Sequence, residues 1–256
     1  MRLALWIVGV SLVGCGAKAE DDEVQVSEGC EDLSRGCAEI EAAFAGGPAD
    51  VVVTCTDGDP SFIITAAGAP EWDSDQATPN DIIDQNWTIE LPLSPTCVDA
   101  PESVLDSRGE VGFTVSGLPM YGPQDALGRD AVEFEGPTMD SCWGHADNFC
   151  RYHHHSEPVC ALGEGEDPED HLQDDGHMPI LGFAMDGFAI HSTDPDDPDG
   201  EDLDDCNGHA VGSRGYHYHT TEDSPYIIGC YAGVDSGTAS AVPTDDCETA
   251  GPPPSP

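Results

Sequence analysis

The sequence predicts a mostly β, disulfide-containing domain built from a duplicated unit, with a short helix ahead of it. Three observations predict this. The 256 residues include 29 glycines and 21 prolines, and the apolar runs are short and end at glycine turns, as hairpin strands do. Eleven cysteines are present. Setting aside one near the N-terminus leaves an even number, as an oxidising compartment would pair them. Finally, a histidine-rich motif occurs twice with the same internal spacing.

Residues 1–14 read as a signal peptide. Arg2 supplies the positive charge, and the apolar run that follows is too short to span a bilayer. It ends in Leu12-Val13-Gly14-Cys15, which resembles a bacterial lipobox. In that scheme Cys15 becomes the lipidated N-terminus, and the chain is anchored to a bacterial membrane, at the outer membrane or cell surface, without being embedded in it. Residues 15–29 are acidic and lack apolar periodicity, so they read as a tether. Residues 30–48 form a small helical segment: Leu33, Cys37, Ile40 and Phe44 recur at helical spacing, and Gly46-Gly47-Pro48 ends it. Cys30 and Cys37 are placed to staple this piece. The main domain spans 49–236, and residues 237–256 read as a loose tail.

The charge is extreme. Seven Lys plus Arg face 51 Asp plus Glu, a formal net charge of −44. Nucleic acid and anionic headgroups are therefore repelled. Solubility in salt-rich surroundings, calcium binding and attraction of cations are its open causes, with a plain solvated surface first among them. The expected partner, a metal ion, is read from the histidines, and the protein partner is left open.

Within the main domain a strand with a glycine turn recurs. It appears as Phe62-Ile63-Ile64-Thr65-Ala66-Ala67-Gly68, as Phe113-Thr114-Val115-Ser116-Gly117, and as Phe183-Ala184-Met185-Asp186-Gly187. The sharper repeat pairs Cys142-Trp143-Gly144-His145 and Tyr152-His153-His154-His155 with Cys206-Asn207-Gly208-His209 and Tyr216-His217-Tyr218-His219. Cys, Gly, His, Tyr, His and His fall at identical offsets in both copies. Each copy follows a hairpin, so the core reads as a duplication with a pseudo-two-fold relation. Cys160 and Cys230 follow the two copies at equivalent places, and equivalence predicts disulfides Cys142–Cys160 and Cys206–Cys230. Cys55–Cys97 is a further expected pair. The competing reading makes Cys142 and Cys206 thiolate ligands, since Cys-x-x-His has zinc-like spacing.

Gly215-Tyr216-His217-Tyr218-His219 with Pro225-Tyr226-Ile227-Ile228-Gly229-Cys230 resembles the YHYH domain family. So do Asp205 to His209, Leu181 to Phe188, and Pro79-Asn80-Asp81-Ile82 with Gln85. The resemblance covers roughly residues 50 to 235. The chain departs from the family pattern at His154, which stands where a second Tyr is expected, and at Ala189 and His191, which replace Pro and Tyr. It also departs around Glu71 and Trp72, where a histidine is expected.

On a strand, residues two apart share a face at about 6.6 Å. Two imidazoles in His-x-His therefore converge on one ion at about 2.0–2.1 Å. His145 and His209 offer a third nitrogen to each pair. The expected ligands are His145, His153, His155, His209, His217 and His219, as two three-His sites or one shared site. His154 falls on the tyrosine face and is excluded. The expected cofactor is a transition metal, copper or zinc.

The acidic stretch from Asp194 to Asp205 is a second place for an ion, calcium, although it does not fit an EF-hand. His171 reads as solvent-exposed, and His177 is left open. Three functions follow: a metal-binding protein, a metal-dependent hydrolase or oxidoreductase using an open coordination position, and a metal-free phosphodiesterase. The last rests on His219-Thr220-Thr221 and His154-His155-Ser156, which are similar to the paired His-x-Thr/Ser of two-histidine phosphoesterases. Whether the chain is an enzyme is left open.

Overall fold

The computed structural model describes residues 30–197, 200, 202–245 and 247. The signal peptide, Cys15 and the tether lie outside the described residues. A short helix α1 (Cys37–Ala43) comes first, and Leu33 lies ahead of it. It is not a separate piece. Its buried Ile40 joins the main core, and disulfides Cys37–Cys55 and Cys30–Cys97 tie it to the strands. These pairings replace the expected Cys55–Cys97 bond, because each cysteine of the helical segment takes one partner in the domain.

A four-stranded antiparallel sheet contains β1 (Val52–Thr54), β2 (Ser61–Ala66), β3 (Trp87–Pro92) and β14 (Thr238–Ser240), in that order. In β2 and β3 buried residues alternate with exposed or half-buried ones. This is the period of a sheet with one face in the core. The stretch from Phe62 to Gly68 therefore belongs to this sheet and is not a third copy of the repeated hairpin. The described residues of the tail are not loose. Thr238 to Ser240 pair with β3, the Thr244 N–H donates to the Asp84 carbonyl, and Cys247 is bonded to Cys150. Two further strands, β4 (Cys97–Ser103) and β13 (Cys230–Gly233), pair with each other.

The second large sheet carries the repeats. Its strands are β5 (Glu110–Thr114), β6 (Pro119–Tyr121), β7 (Gly144–Ala146) and β8 (Tyr152–His154), then β9 (Ile180–Ala184), β10 (Ala189–His191), β11 (Gly208–Val211) and β12 (Gly215–His219). Their order is β11-β12-β10-β9-β5-β6-β8-β7. The two halves meet at the centre, where β5 and β9 run antiparallel with Phe113 opposite Phe183. Outward from that line each half repeats the same pairings. A hairpin comes first, then a parallel partner, then an antiparallel edge strand. This is the expected pseudo-two-fold duplication.

The sheets pack face to face. Phe62 meets the Phe183 ring edge-on at 5.5 Å, and Trp87 meets Phe113 at 5.2 Å. Cys142–Cys160 and Cys206–Cys230 are disulfides as the duplication predicts, so Cys142 and Cys206 are not thiolate ligands. The structure is mostly β, stapled by five disulfides among the described residues.

Candidate metal centres

Each repeat builds its site from a turn. Asp140 accepts the backbone N–H of Cys142 at 2.9 Å and of Gly144 at 3.1 Å. Asp204 does the same for Cys206 at 2.9 Å and Gly208 at 3.0 Å. Trp143 and Asn207, between the bonded N–H groups, take the left-handed conformation, with φ of 59° and 65°. The turn thus throws Gly144 and Gly208 against a tyrosine ring. A Cβ at either would fall 2.2 or 2.1 Å from the phenol oxygen of Tyr152 or Tyr216. Those phenols close the unit by donating to the same carboxylates, Tyr152 to Asp140 at 2.8 Å and Tyr216 to Asp204 at 3.0 Å. Burial pushes both phenols up, and the neighbouring carboxylates push them further, so they remain neutral donors. Burial would raise Asp140, but hydrogen bonds from Ser74, Tyr152 and Gly144 outweigh it and hold the carboxyl below its usual range.

Once the turn is fixed, the register places the histidines. His145 stands opposite His153, and His209 opposite His217. The six expected ligands fall into two groups, one per repeat, and not into one shared site. The first group is His145, His153 and His155. The second is His209, His217 and His219 with His177, from the loop ahead of β9; within each group the facing ring nitrogens lie within 4.8 Å of one another. His177 was not read from the sequence because its partner His217 is 40 residues away. His191 packs beside the second group, its ring 4.8 Å from that of His217. At the equivalent place in the first repeat Tyr121 stacks on His153 at 4.1 Å. His154 lies elsewhere. Its Nδ1 meets the Trp143 carbonyl at 3.1 Å, its ring packs on Tyr152, and its Nε2 is buried without a partner.

Hydrogen bonding fixes which nitrogen carries the proton. A carbonyl oxygen only accepts, so a ring nitrogen facing one must be N–H. His153 Nδ1 faces the Arg151 carbonyl at 3.1 Å and His155 Nδ1 the Gly122 carbonyl at 2.7 Å. His145 Nδ1 lies 2.9 Å from the Thr138 hydroxyl oxygen, whose own proton goes to the Glu135 carbonyl at 2.6 Å, so this nitrogen is also the donor. In the second group His177, His217 and His219 present Nδ1 to the carbonyls of Met178, Gly215 and Ser192 at 3.0, 3.0 and 2.8 Å.

The rings are also neutral. Burial, reinforced by neighbouring histidines, lowers His145 to about 3 and His217 to about 2, and burial lowers His219 to about 4. In the six rings whose Nδ1 is the donor, Nε2 therefore carries a lone pair. Yet His153 and His155 bring their Nε2 atoms to 3.0 Å, and His177 and His217 theirs to 3.0 Å. His209 Nε2 lies 3.1 Å from His217 Nε2, to which it can donate. Facing lone pairs at this distance repel unless a cation sits between them. An ion with four nitrogens at about 2.0–2.1 Å has ligand–ligand edges of about 3.3–3.4 Å, only slightly longer than these separations. Carbonyl acceptors on the far nitrogen are also the usual way a metal-binding imidazole is oriented.

The other candidates fare differently. His171 is exposed and pairs with Glu166. In the acidic stretch Pro198, Asp199 and Glu201 lie outside the described residues, and Asp204 caps its turn. Among the described residues the two histidine groups are the only sets close enough to hold an ion. His154 and His219, which a two-histidine phosphoesterase would bring face to face, sit on β8 and β12 with four strands between them.

Fold and site together define a disulfide-stapled β protein with one buried polyhistidine cluster in each half of a duplicated sheet. The family model described as YHYH protein matches residues 88–201, and over that stretch the chain is similar to the YHYH family. The matched stretch holds the whole first cluster and the second hairpin, and it ends before Gly215 to His219. No curated protein and no solved structure matches the chain.

Proposed function

We propose that this is an exported metal-binding protein that holds one transition-metal ion, copper or zinc, in each repeat. The observation that carries this reading is the pair of Nε2 lone pairs turned toward each other at 3.0 Å in each cluster. Copper has the higher intrinsic affinity for such nitrogen sites, and supply in the compartment decides which ion is held. Export and lipid attachment through Cys15 complete the proposal. Disulfides suit an oxidising compartment, and among the described residues no helix is long and apolar enough to cross a membrane. Elemental analysis of the exported protein, purified without chelator or polyhistidine tag, tests it. Two equivalents of metal per chain are expected, and a metal-free protein that takes up neither ion contradicts it.

A second reading, a metal-dependent hydrolase or oxidoreductase, draws on the first cluster, where three imidazoles leave a fourth position for another ligand. Turnover that disappears on chelation distinguishes it from a carrier.

A further inference from the structure

The two clusters share three histidines by duplication but differ in what stands at the fourth position. In the second cluster it is His177. In the first, no histidine corresponds, and the group nearest the open side is a carboxylate. Glu135 Oε2 lies 3.5 Å from His155 Nε2 and 3.6 Å from His145 Nε2. The Nδ1 atoms of both rings are already engaged, His155 by the Gly122 carbonyl and His145 by the Thr138 hydroxyl, so it is the Nε2 atoms that face the carboxylate. A carboxylate oxygen and two Nε2 atoms thus point into one space, as the ligands of one cation would. These two separations exceed a tetrahedral edge of about 3.3–3.4 Å by a few tenths of an ångström. Glu135 stands outside the set of atoms that all lie within 4.8 Å of one another, so its half-buried side chain must move inward to complete the site.

The backbone of Glu135 is also held where it is. It ends the helix α2 (Ala131–Glu135), which Asp130 caps through the Glu133 N–H at 2.8 Å. Its carbonyl accepts from Thr138, the residue that receives the His145 Nδ1 proton. One short segment therefore delivers the carboxylate and clamps a ligand. The second repeat has nothing equivalent, since the chain from Tyr121 to Asp140 is six residues longer than that from His191 to Asp204.

We infer that Glu135 is the fourth ligand of the first site, so that the protein holds two unlike metals: one in a three-nitrogen, one-oxygen site and one in an all-nitrogen site. This rests on the metal-binding reading above. Oxygen is the harder donor, and its charge lowers that of a divalent complex from +2 to +1, so the first site favours harder ions than the second. Glu135 is half-buried whereas its three histidines are fully buried, so the exchangeable side of the first site is the side it closes. Turnover there would require this carboxylate to swing away.

Cobalt(II) titration of the metal-free full chain, followed by visible absorption, tests the assignment. Wild type should bind two cobalt ions with two distinct spectra. Glu135→Gln should weaken one of them by at least about tenfold, the scale on which metal sites lose affinity when even an outer partner is removed, and should leave the other unchanged. The retained second ion reports that the variant is folded. Glu135→His should restore tight binding and shift the first spectrum toward the second. Glu133→Gln, an exposed change on the same helix, should alter neither. Two cobalt ions bound to Glu135→Gln with wild-type affinities and spectra would overturn the Glu135 assignment and leave metal binding intact. No cobalt bound to wild type would overturn both.

Discussion

A Cβ at Gly144 would lie 2.2 Å from the Tyr152 phenol oxygen, and one at Gly208 2.1 Å from that of Tyr216. Neither ring has room to retreat, because each is buried and hydrogen-bonded to the carboxylate that caps the same turn. Gly144→Ala and Gly208→Ala should each cost about 2–4 kcal/mol in denaturant unfolding, on the scale of overpacking with loss of a buried hydrogen bond. Each should release only its own repeat's ion. His154 makes the opposite case. It stands where the second repeat has Tyr218, outside the cluster, so His154→Tyr should keep both ions while His153→Ala loses one, as read by metal content after gel filtration. That division was legible in the sequence because strand alternation places His153 and His155 on one face. Asp140 and Asp204 were equally available, two residues before the cysteine in both copies. Glu135 and His177 were not, since they reach the clusters through the fold and carry no repeat signature.

At the scale of elements, the duplicated unit is a hairpin followed by a disulfide-closed segment, Cys142–Cys160 or Cys206–Cys230. Equivalent order made both bonds readable, since Cys160 and Cys230 each follow the Tyr-His-x-His stretch of their copy, although the separations are 18 and 24 residues. The remaining bonds were not, because Cys30, Cys37 and Cys247 lie outside the repeats and have no partner copy to compare with. Cys247 closes a loop of 97 residues to Cys150. The chain-entropy account assigns a loop of that length about 4–5 kcal/mol. The Cys150→Ser, Cys247→Ser double variant should therefore unfold at markedly lower denaturant yet retain two ions. Loss of an ion would show that the tail supports a site as well as the sheet edge. The short strand Thr238–Ser240 escaped the sequence reading for a physical reason. Three residues among small side chains carry no periodicity, and their pairing with β3 supplies the order.

For the whole molecule, the buried histidines set a pH dependence. Burial holds His145, His153, His154, His155, His191, His217 and His219 below the usual imidazole range of about 6.5. Below pH 6.5 the unfolded chain then binds more protons than the folded one, so stability falls as pH falls. By pH 5 each ring that stays neutral costs on the order of 2 kcal/mol. The net charge of −44 acts in the other direction, but carboxylates relieve that repulsion only near their own values of about 4. The Tm of the metal-free protein should therefore drop steeply between pH 7 and 5, and a flat or rising Tm across that window would refute the neutral, inward-facing histidines. Bound metal should hold the folded state to lower pH, because it stabilises the same neutral imidazoles. The mostly β class and the two-fold repeat could be read from glycine turns and spacing, whereas the second sheet's part in the core required the pairing of distant strands. Anomalous diffraction at the metal edge, from crystals of the metal-loaded protein, tests the central claim most directly. It should show two peaks, one at about 2.0–2.1 Å from Nε2 of His145, His153 and His155, the other at the same distance from the Nε2 atoms of His177, His209, His217 and His219. Peaks confined to the acidic surface, or no peak at either cluster in metal-loaded crystals, would contradict it.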